Sequence, residues 1–521
     1  MSKLDEIFGE KIKERVSNRK EEVQLSEDQL EMKKADSILV WGLLLILLVV
    51  PLIARVHFSE FASPLVTGTS LDTGMKSDIF TFYKFVVLLI GTIGLAIVFL
   101  YKVVILGYMI PKSKINLLTG ILAVLIVLSA VFAPNKSLAL FGMYNRHEGT
   151  LTYLCYITLF FIASNITLSS KNIKWFIYVL YPFVLINTTL GLLGFYGFDI
   201  LKTDFGKNLL FSNMPEGSHI NEGSKLISTI NHGNYVSGVS AVIIGLLLTW
   251  SLLDKNRLRS LINLLFSLAA FSMLLASLSS SGFVTLLAVS PLIILLIIKS
   301  KNKKQFIIVG MSFVLLSGLI LSLMSSHNSK VWDESIGFFV SNNPFDDNKD
   351  VGLTGQFTHH VYAAEKVEYN FPELPESGVG AGSGRLYIWG KAWDLIKERP
   401  LLGYGLDTFT YHFPQNDPGK HANIETYTVV VDKPHNAYVG IAFGCGIPAL
   451  IILCILLFVV LKHLFFLVIN NYKIGSVLLI FMLAWATQYL FNDSLLGINI
   501  IFWIHAGLSF SYVNRDRAAR N

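Results

Sequence analysis

Charge is what this sequence has least of. Asp, Glu, Lys and Arg make up 15% of its 521 residues, against about a quarter in soluble domains, so a soluble globular enzyme of this length is a poor fit. Cysteine is nearly absent. Cys155, Cys445 and Cys454 all fall in apolar segments, which argues against a disulfide framework and for three inert small hydrophobes. There is no Walker A pattern and no GxGxxG leading out of a strand, so neither nucleoside triphosphate nor dinucleotide binding has its usual signature. No acidic cluster sits inside an apolar run to mark a proton relay. Lys84 is the only clear cation within such a run, close enough to its end to reach for the bilayer surface. The pair His359-His360 lacks a second His or Cys at ligand spacing. Neither a metal nor any other cofactor is expected.

What the chain does have is apolar length. Hydrophobic residues are 53% of the sequence and mean hydropathy is +0.56, carried by repeated runs near the ~20 residues that span a bilayer. The expectation is an all-α polytopic membrane protein with about 12 transmembrane helices and one large, partly helical extracytoplasmic loop. The runs divide the chain into a charged cytoplasmic N-terminal tail (1–37), transmembrane helices 1–9 (38–324), the large loop (325–436), transmembrane helices 10–12 (437–513) and a basic cytoplasmic tail (514–521). The first segment is dense in both signs and lacks an apolar h-region, so it does not read as a cleaved signal peptide.

Loop charge sets the expected orientation. With the N-terminus inside, the cytoplasmic loops and the C-terminal tail hold seventeen Lys and Arg against two acids, Asp254 and Asp516. The large loop is acidic on balance. This is the positive-inside bias. It accounts for the formal net charge of +6 and removes nucleic acid as a partner, leaving the bilayer.

The polar clusters of unusual composition then share the outer side: Gly142–Gly149, Ser228–Asn234 and the 384–436 stretch. In the last, Arg385 and Trp389 are four apart and share a helix face, with Trp393 and Ile396 continuing the stripe. Ser383 and Gly384 suit the helix start, and Pro400 follows its end. Gly403-Tyr404-Gly405 supplies a permissive turn. His435 sits between Pro434 and Asn436 where the chain re-enters an apolar run.

Arg385 presents a planar fork of donors suited to phosphate, set against an ordinary surface arginine pairing with Asp394 or Glu398. Arg146 sits in a loop rich in His, Glu and Tyr, against the alternative of a charge at headgroup level. His435 titrates near working pH, as a base for a hydroxyl must. The aromatics Tyr387, Trp389, Trp393 and Tyr404 suit sugar faces and suit an interfacial belt equally.

At these residues the chain resembles the O-antigen ligase / O-antigen polymerase superfamily, bacterial membrane glycosyltransferases acting on lipid-linked saccharides. The matching stretches are Gly384-Arg385…Trp389, Pro400-Leu401-Leu402-Gly403-Tyr404-Gly405, and His435-Asn436-Ala437-Tyr438 followed by Gly444-Cys445-Gly446. Weaker echoes are Arg146–Gly149, Asn231–Tyr235 and Ser279–Gly282.

The resemblance implies a polyprenyl-pyrophosphate-linked oligosaccharide donor, a glycan or lipid acceptor, and inversion without a metal in the bacterial cytoplasmic (inner) membrane. On this chain it implies His435 as catalytic base and Arg385 on the donor pyrophosphate. Arg146, Trp389, Tyr404 and Asn436 are further substrate-binding candidates. The chain departs from the pattern at Ser281-Gly282, where members often carry Ser-Arg. Either Arg146 stands in for that arginine or the donor is held differently. A lipid-linked oligosaccharide flippase is the alternative, with the difficulty that no internal repeat is visible and the polar residues cluster outside the spans.

Overall fold

The computed structural model describes residues 27–64, 71–168, 170–212, 228–230, 232–299, 303–338, 384–424, 429–470 and 473–518, with isolated positions between 340 and 380. Most of the N-terminal tail, Asn231, Ser383, His219 and His359-His360 lie outside the described residues.

The chain is almost wholly helical. It begins with α1 (Glu27–Leu52). There follow α2 (Phe82–Val104), α3 (Lys114–Phe132), α4 (Lys136–Phe141), α5 (Thr150–Asn165), α6 (Ser170–Tyr178), α7 (Tyr181–Phe195), α8 (Asp204–Phe211) and α9 (Gly233–Leu253). Next come α10 (Arg257–Ala276), α11 (Ser281–Lys299), α12 (Lys303–His327), α13 (Lys330–Asp333), α14 (Arg385–Glu398), α15 (Phe409–His412), α16 (Pro418–Asn423), α17 (Ala437–Ile469), α18 (Lys473–Gln488) and α19 (Asn499–Ala518). One antiparallel strand pair, β1 (His57–Phe61) with β2 (Gly74–Asp78), places His57 opposite Asp78.

Eight of these helices are long and apolar enough to cross a membrane, against about 12 expected. The helices at three further expected spans, α5, α11 and α18, are apolar but shorter. Lipid-facing and buried helices separate clearly. Only 17% of the apolar window of α12 is buried, with Val314 and Leu315 open to the surroundings, whereas 94% of the α9 window is enclosed. A helix apolar all round has to be shielded from water by lipid or by other helices, and α9 is packed by α10, α11 and α18.

Two expectations change. Lys84 does not reach for the bilayer surface; it is 3% exposed and its Nζ donates to the Thr229 carbonyl at 2.5 Å. A protein carbonyl thus replaces the headgroup water that a snorkelling lysine seeks. On α14 the buried stripe is Ile388, Ala392 and Ile396, while Trp393 is 50% exposed and does not continue it.

The feature that positions the site is a break in α17. Pro448 has no N–H to give back to the Gly444 carbonyl, and Gly446 leaves helical geometry at φ 83°. The carbonyls freed there are taken by the 400–405 loop. Tyr404 N–H donates to Phe443 O at 3.0 Å, Gly405 N–H donates to Gly444 O at 2.9 Å, and Ile447 N–H donates to Pro400 O at 2.8 Å. Gly403 and Gly405 both sit at positive φ, and a Cβ on Gly403 would run into the Phe443 and Gly444 carbonyls. The Pro400–Gly405 motif is therefore a backbone patch on a kinked helix.

Candidate functional site

α17 starts with Asn436 as N-cap. Its side chain accepts from the N–H groups of Tyr438 (3.0 Å) and Val439 (3.1 Å), satisfying two donors that a helix start leaves unpaired. The turn between α18 and α19 closes over this end. Ala437 N–H donates to the carbonyls of Tyr489 and Asn492, and Asn436 N–H donates to Asp493 Oδ1 at 3.2 Å. His435, one residue before the cap, holds φ 52°, a conformation uncommon for a side chain with a Cβ and worth strain only where the surroundings fix it.

That conformation turns the His435 ring toward Asp493, with Nδ1 3.1 Å from Oδ2. The His435 side chain is 38% exposed and the Asp493 side chain 6%. Burial works against an imidazolium here, but the hydrogen bond and charge of Asp493, with Asp432 beyond, outweigh it and raise the pKa above the ordinary value. With Nδ1 facing the carboxylate, Nε2 is the nitrogen left to act.

Arg385 is the first residue of α14, after Gly384 in the left-handed N-cap position. It is half-buried and has no hydrogen bond or ion pair among the described residues. The alternative partners are otherwise engaged: Asp394 pairs with Lys397, and Glu398 accepts from the Tyr404 hydroxyl. Burial lowers the Arg385 pKa, and the nearby charge of Asp493 pulls the other way. Its own charge is in turn felt at His435. One turn along α14, the Trp389 indole N–H donates to the Pro434 carbonyl at 2.7 Å. That bond ties the helix carrying Arg385 to the residue before His435.

The other candidates divide. Arg146 is 4% exposed, and its donors are committed: Nε to Asp407 Oδ1 at 2.8 Å, Nη1 to Asp432 Oδ2 at 2.8 Å, and Nη2 to Thr410 Oγ1 at 3.3 Å. Burial opposes its charge, yet the two carboxylates raise its hold on the proton above that of an ordinary arginine. An anion would have to displace both, so Arg146 clamps the loop and does not stand in for a phosphate arginine. Asn436 is a helix cap. Tyr404 packs in the apolar cluster under α14, its ring stacked on Phe443 at 5.1 Å and its hydroxyl 2.5 Å from Glu398, apart from the His435–Asp493 pair.

Gly282 has a physical reason. Its N–H donates to Ser237 Oγ at 2.9 Å, and a Cβ there would overlap the Ser237 carbonyl of α9. α11 crosses α9 too closely at this point for any side chain, arginine included.

Several residues at the site are not among the candidates named from the sequence, although Glu148, His232 and Tyr235 fall in its weaker matching stretches. Asp493 pairs with His435, and Tyr235 lies at the limit of a hydrogen bond, 3.5 Å from Asp493 Oδ2. His232 caps α9 and lies close enough to feel the charge of His435. Glu148, 3% exposed, accepts from Tyr156 at 2.8 Å and from the Ser494 hydroxyl. Burial pushes its pKa up to about 7 against the pull of Lys433. Asp432 is held below the usual carboxylate range; burial opposes this, and Arg146, His435 and Lys433 overcome it. For Asp493 the available signal is a lone carboxylate in the short polar interval between two apolar runs.

Two clefts flank Asp493. One of about 450 Å³ is lined by Glu148, Asp432, Lys433, Pro434 and Ser494. Another of about 310 Å³ runs under Tyr235, Gln488 and Asn492 into apolar surroundings. The site as a whole offers a held imidazole, an unpaired guanidinium beside it, and an opening between helices.

No curated protein matches this chain. Residues 264–454, which include Gly282, Arg385, Trp389, Tyr404 and His435 but end before Asp493, match the family described as O-antigen ligase. That match over little more than a third of the chain supports O-antigen ligase superfamily membership, and the described helices include eight long and apolar enough to cross a membrane.

Proposed function

We propose that this protein is a membrane glycosyltransferase that moves or polymerises a glycan from a polyprenyl-pyrophosphate donor onto an acceptor hydroxyl. The observation that carries the reading is the pairing of His435 with Asp493 beside Arg385, a guanidinium with no ion pair among the described residues. Asp493 keeps the proton on Nδ1, and Nε2 takes the proton of the acceptor hydroxyl. The acceptor oxygen attacks the anomeric carbon of the donor sugar from the face opposite the pyrophosphate. The bond from that carbon to the phosphate oxygen breaks with its electron pair, and the configuration inverts. Arg385 holds the departing pyrophosphate and stabilises its developing charge. The Trp389–Pro434 bond keeps base and clamp in register. The donor arrives activated, so no ATP is consumed. That suits a site on the extracytoplasmic face of the bacterial inner membrane, where the loop charges put it.

The test is reconstitution in liposomes with a polyprenyl-pyrophosphate oligosaccharide and a candidate acceptor, reading the product by mass. His435→Ala should retain donor binding and lose transfer. Arg385→Ala should lose about 10- to 100-fold in kcat/KM, the scale of a charge-assisted contact, with Arg385→Lys between it and the parent. Vectorial movement of the donor with no new glycosidic bond would instead establish the flippase.

A further inference from the structure

The end of the bundle remote from His435 carries a cavity that glycan transfer does not use. α9 begins beside His435 and ends at Leu253, where the starts of α10, α12 and α18 gather. Lys473 donates to the Leu253 carbonyl at 2.8 Å, Gln305 donates to the Ser251 carbonyl at 3.3 Å, and the Ser251 and Ser260 hydroxyls pair at 3.2 Å. Between α10 and α12 at this end lies an open cavity of about 700 Å³. Lys255, Arg257 and Lys304 ring its mouth, and Leu261, Leu264 and Ile308 form its floor.

None of the three cations has a hydrogen bond or ion pair among the described residues. The neighbouring carboxylate, Asp254, is already bidentate to Arg259, at 2.7 and 2.9 Å. Lys255 also lines a second cleft with Lys174, Arg259 and Lys473, in which Asp254 is the one carboxylate among the described residues, so the local charge is positive on balance. The floor is apolar and opens sideways. Leu261 and Ile308 are 51% and 55% exposed, on helices whose outer faces lie in the hydrocarbon of a bilayer.

Positive residues at a membrane boundary are ordinary topological markers, and scattered ones need no ligand. Here they converge on a cavity between helices that is cationic at the rim and greasy below. Those are the two chemistries of an anionic lipid, arranged in its order. At about 700 Å³ it has the size of a ligand pocket, room for a headgroup with the start of its acyl chains.

We infer that the cavity between α10 and α12 binds an anionic glycerophospholipid, its phosphate on Lys255, Arg257 and Lys304 and its acyl chains along Leu261 and Ile308. The bound lipid neutralises the cations and fills the end of the groove beyond the Phe271–Phe313 contact that joins the two helices. The site is independent of the transfer reaction, and its occupancy is measurable without activity.

The experiment uses the full chain purified in a neutral detergent and native mass spectrometry with added phosphatidylglycerol or phosphatidylcholine of the same acyl chains. The protein should retain phosphatidylglycerol and not phosphatidylcholine. Removing the charges (Lys255→Gln, Arg257→Gln and Lys304→Gln together) should weaken retention about a hundredfold, and Lys255→Arg with Lys304→Arg should preserve it. Excess inorganic phosphate should leave the lipid in place, because it lacks the chains. Equal retention of the two lipids, equal retention by parent and charge-removed protein, or full displacement by inorganic phosphate would each overturn the assignment; the last would leave a simple anion site. If the charge-removed protein does not fold, the parent decides. Retention that falls as salt rises supports the site, and salt-independent retention overturns it.

Discussion

With Asp493 holding Nδ1, His435 keeps a proton to higher pH than a free imidazole does, yet as the proposed base it would act only once that proton has left. The sign of the pH dependence follows. The folded pKa is raised, so kcat/KM should fall as pH drops through a value above 6.5, the ordinary histidine pKa. The same shift favours the folded state at low pH and loses that contribution as pH rises through the folded value. Asp493→Asn keeps the shape and removes the charge. Its acid limb should move to lower pH, and its high-pH plateau should fall by about a hundredfold as Nδ1 loses its orienting partner. A pH–rate profile of the two proteins checks both shifts, and an unmoved limb would separate Asp493 from the chemistry. At this scale the sequence is legible only in part. Arg146 and Arg385 look alike as lone arginines in polar loops. What separates them is that the partners of Arg146, Asp407 and Asp432, lie 261 and 286 residues away along the chain, a distance that no local pattern reports.

Elements are read more easily than roles. Apolar runs located the helices because burial in lipid demands length, and Pro400 located the end of α14 because proline stops a helix. The function of Pro400–Gly405 was not legible, since it depends on carbonyls that Pro448 and Gly446 leave free on another element. The Gly282 position is similar. Read in sequence, it is a missing arginine; in three dimensions, it is the point where α11 meets the backbone of α9. Gly282→Ala should therefore destabilise the protein by about 1–3 kcal/mol, the cost of an overpacked contact, seen as a lower thermal midpoint in detergent. Adding Ser237→Ala should not rescue it, because the nearest atom to the new Cβ is the Ser237 carbonyl oxygen and not its hydroxyl. Full rescue would place the clash on the side chain and reopen position 282 to larger residues.

For the molecule as a whole, sidedness is the property on which the proposed chemistry turns. α9 has 21 residues, a rise of about 30 Å, which matches the hydrocarbon thickness of a bilayer. It carries the His435 neighbourhood at one end and the cationic cavity at the other, so the two cannot share a side of the membrane. In the orientation expected from the loop charges the cations are inside and the imidazole outside, and there the proposed donor, carrying its own leaving group, needs no nucleotide. Single cysteines test this in a background freed of Cys155, Cys445 and Cys454. Lys397 on α14, 60% exposed in its side chain, should react as Lys397→Cys with a membrane-impermeant maleimide on intact cells. Lys303→Cys at the start of α12, also exposed, should react only after the membrane is opened. The reverse pattern would turn His435 toward the cytoplasm, where nucleotide sugars are available. An exported pyrophosphate-linked donor would then no longer be the substrate its position favours.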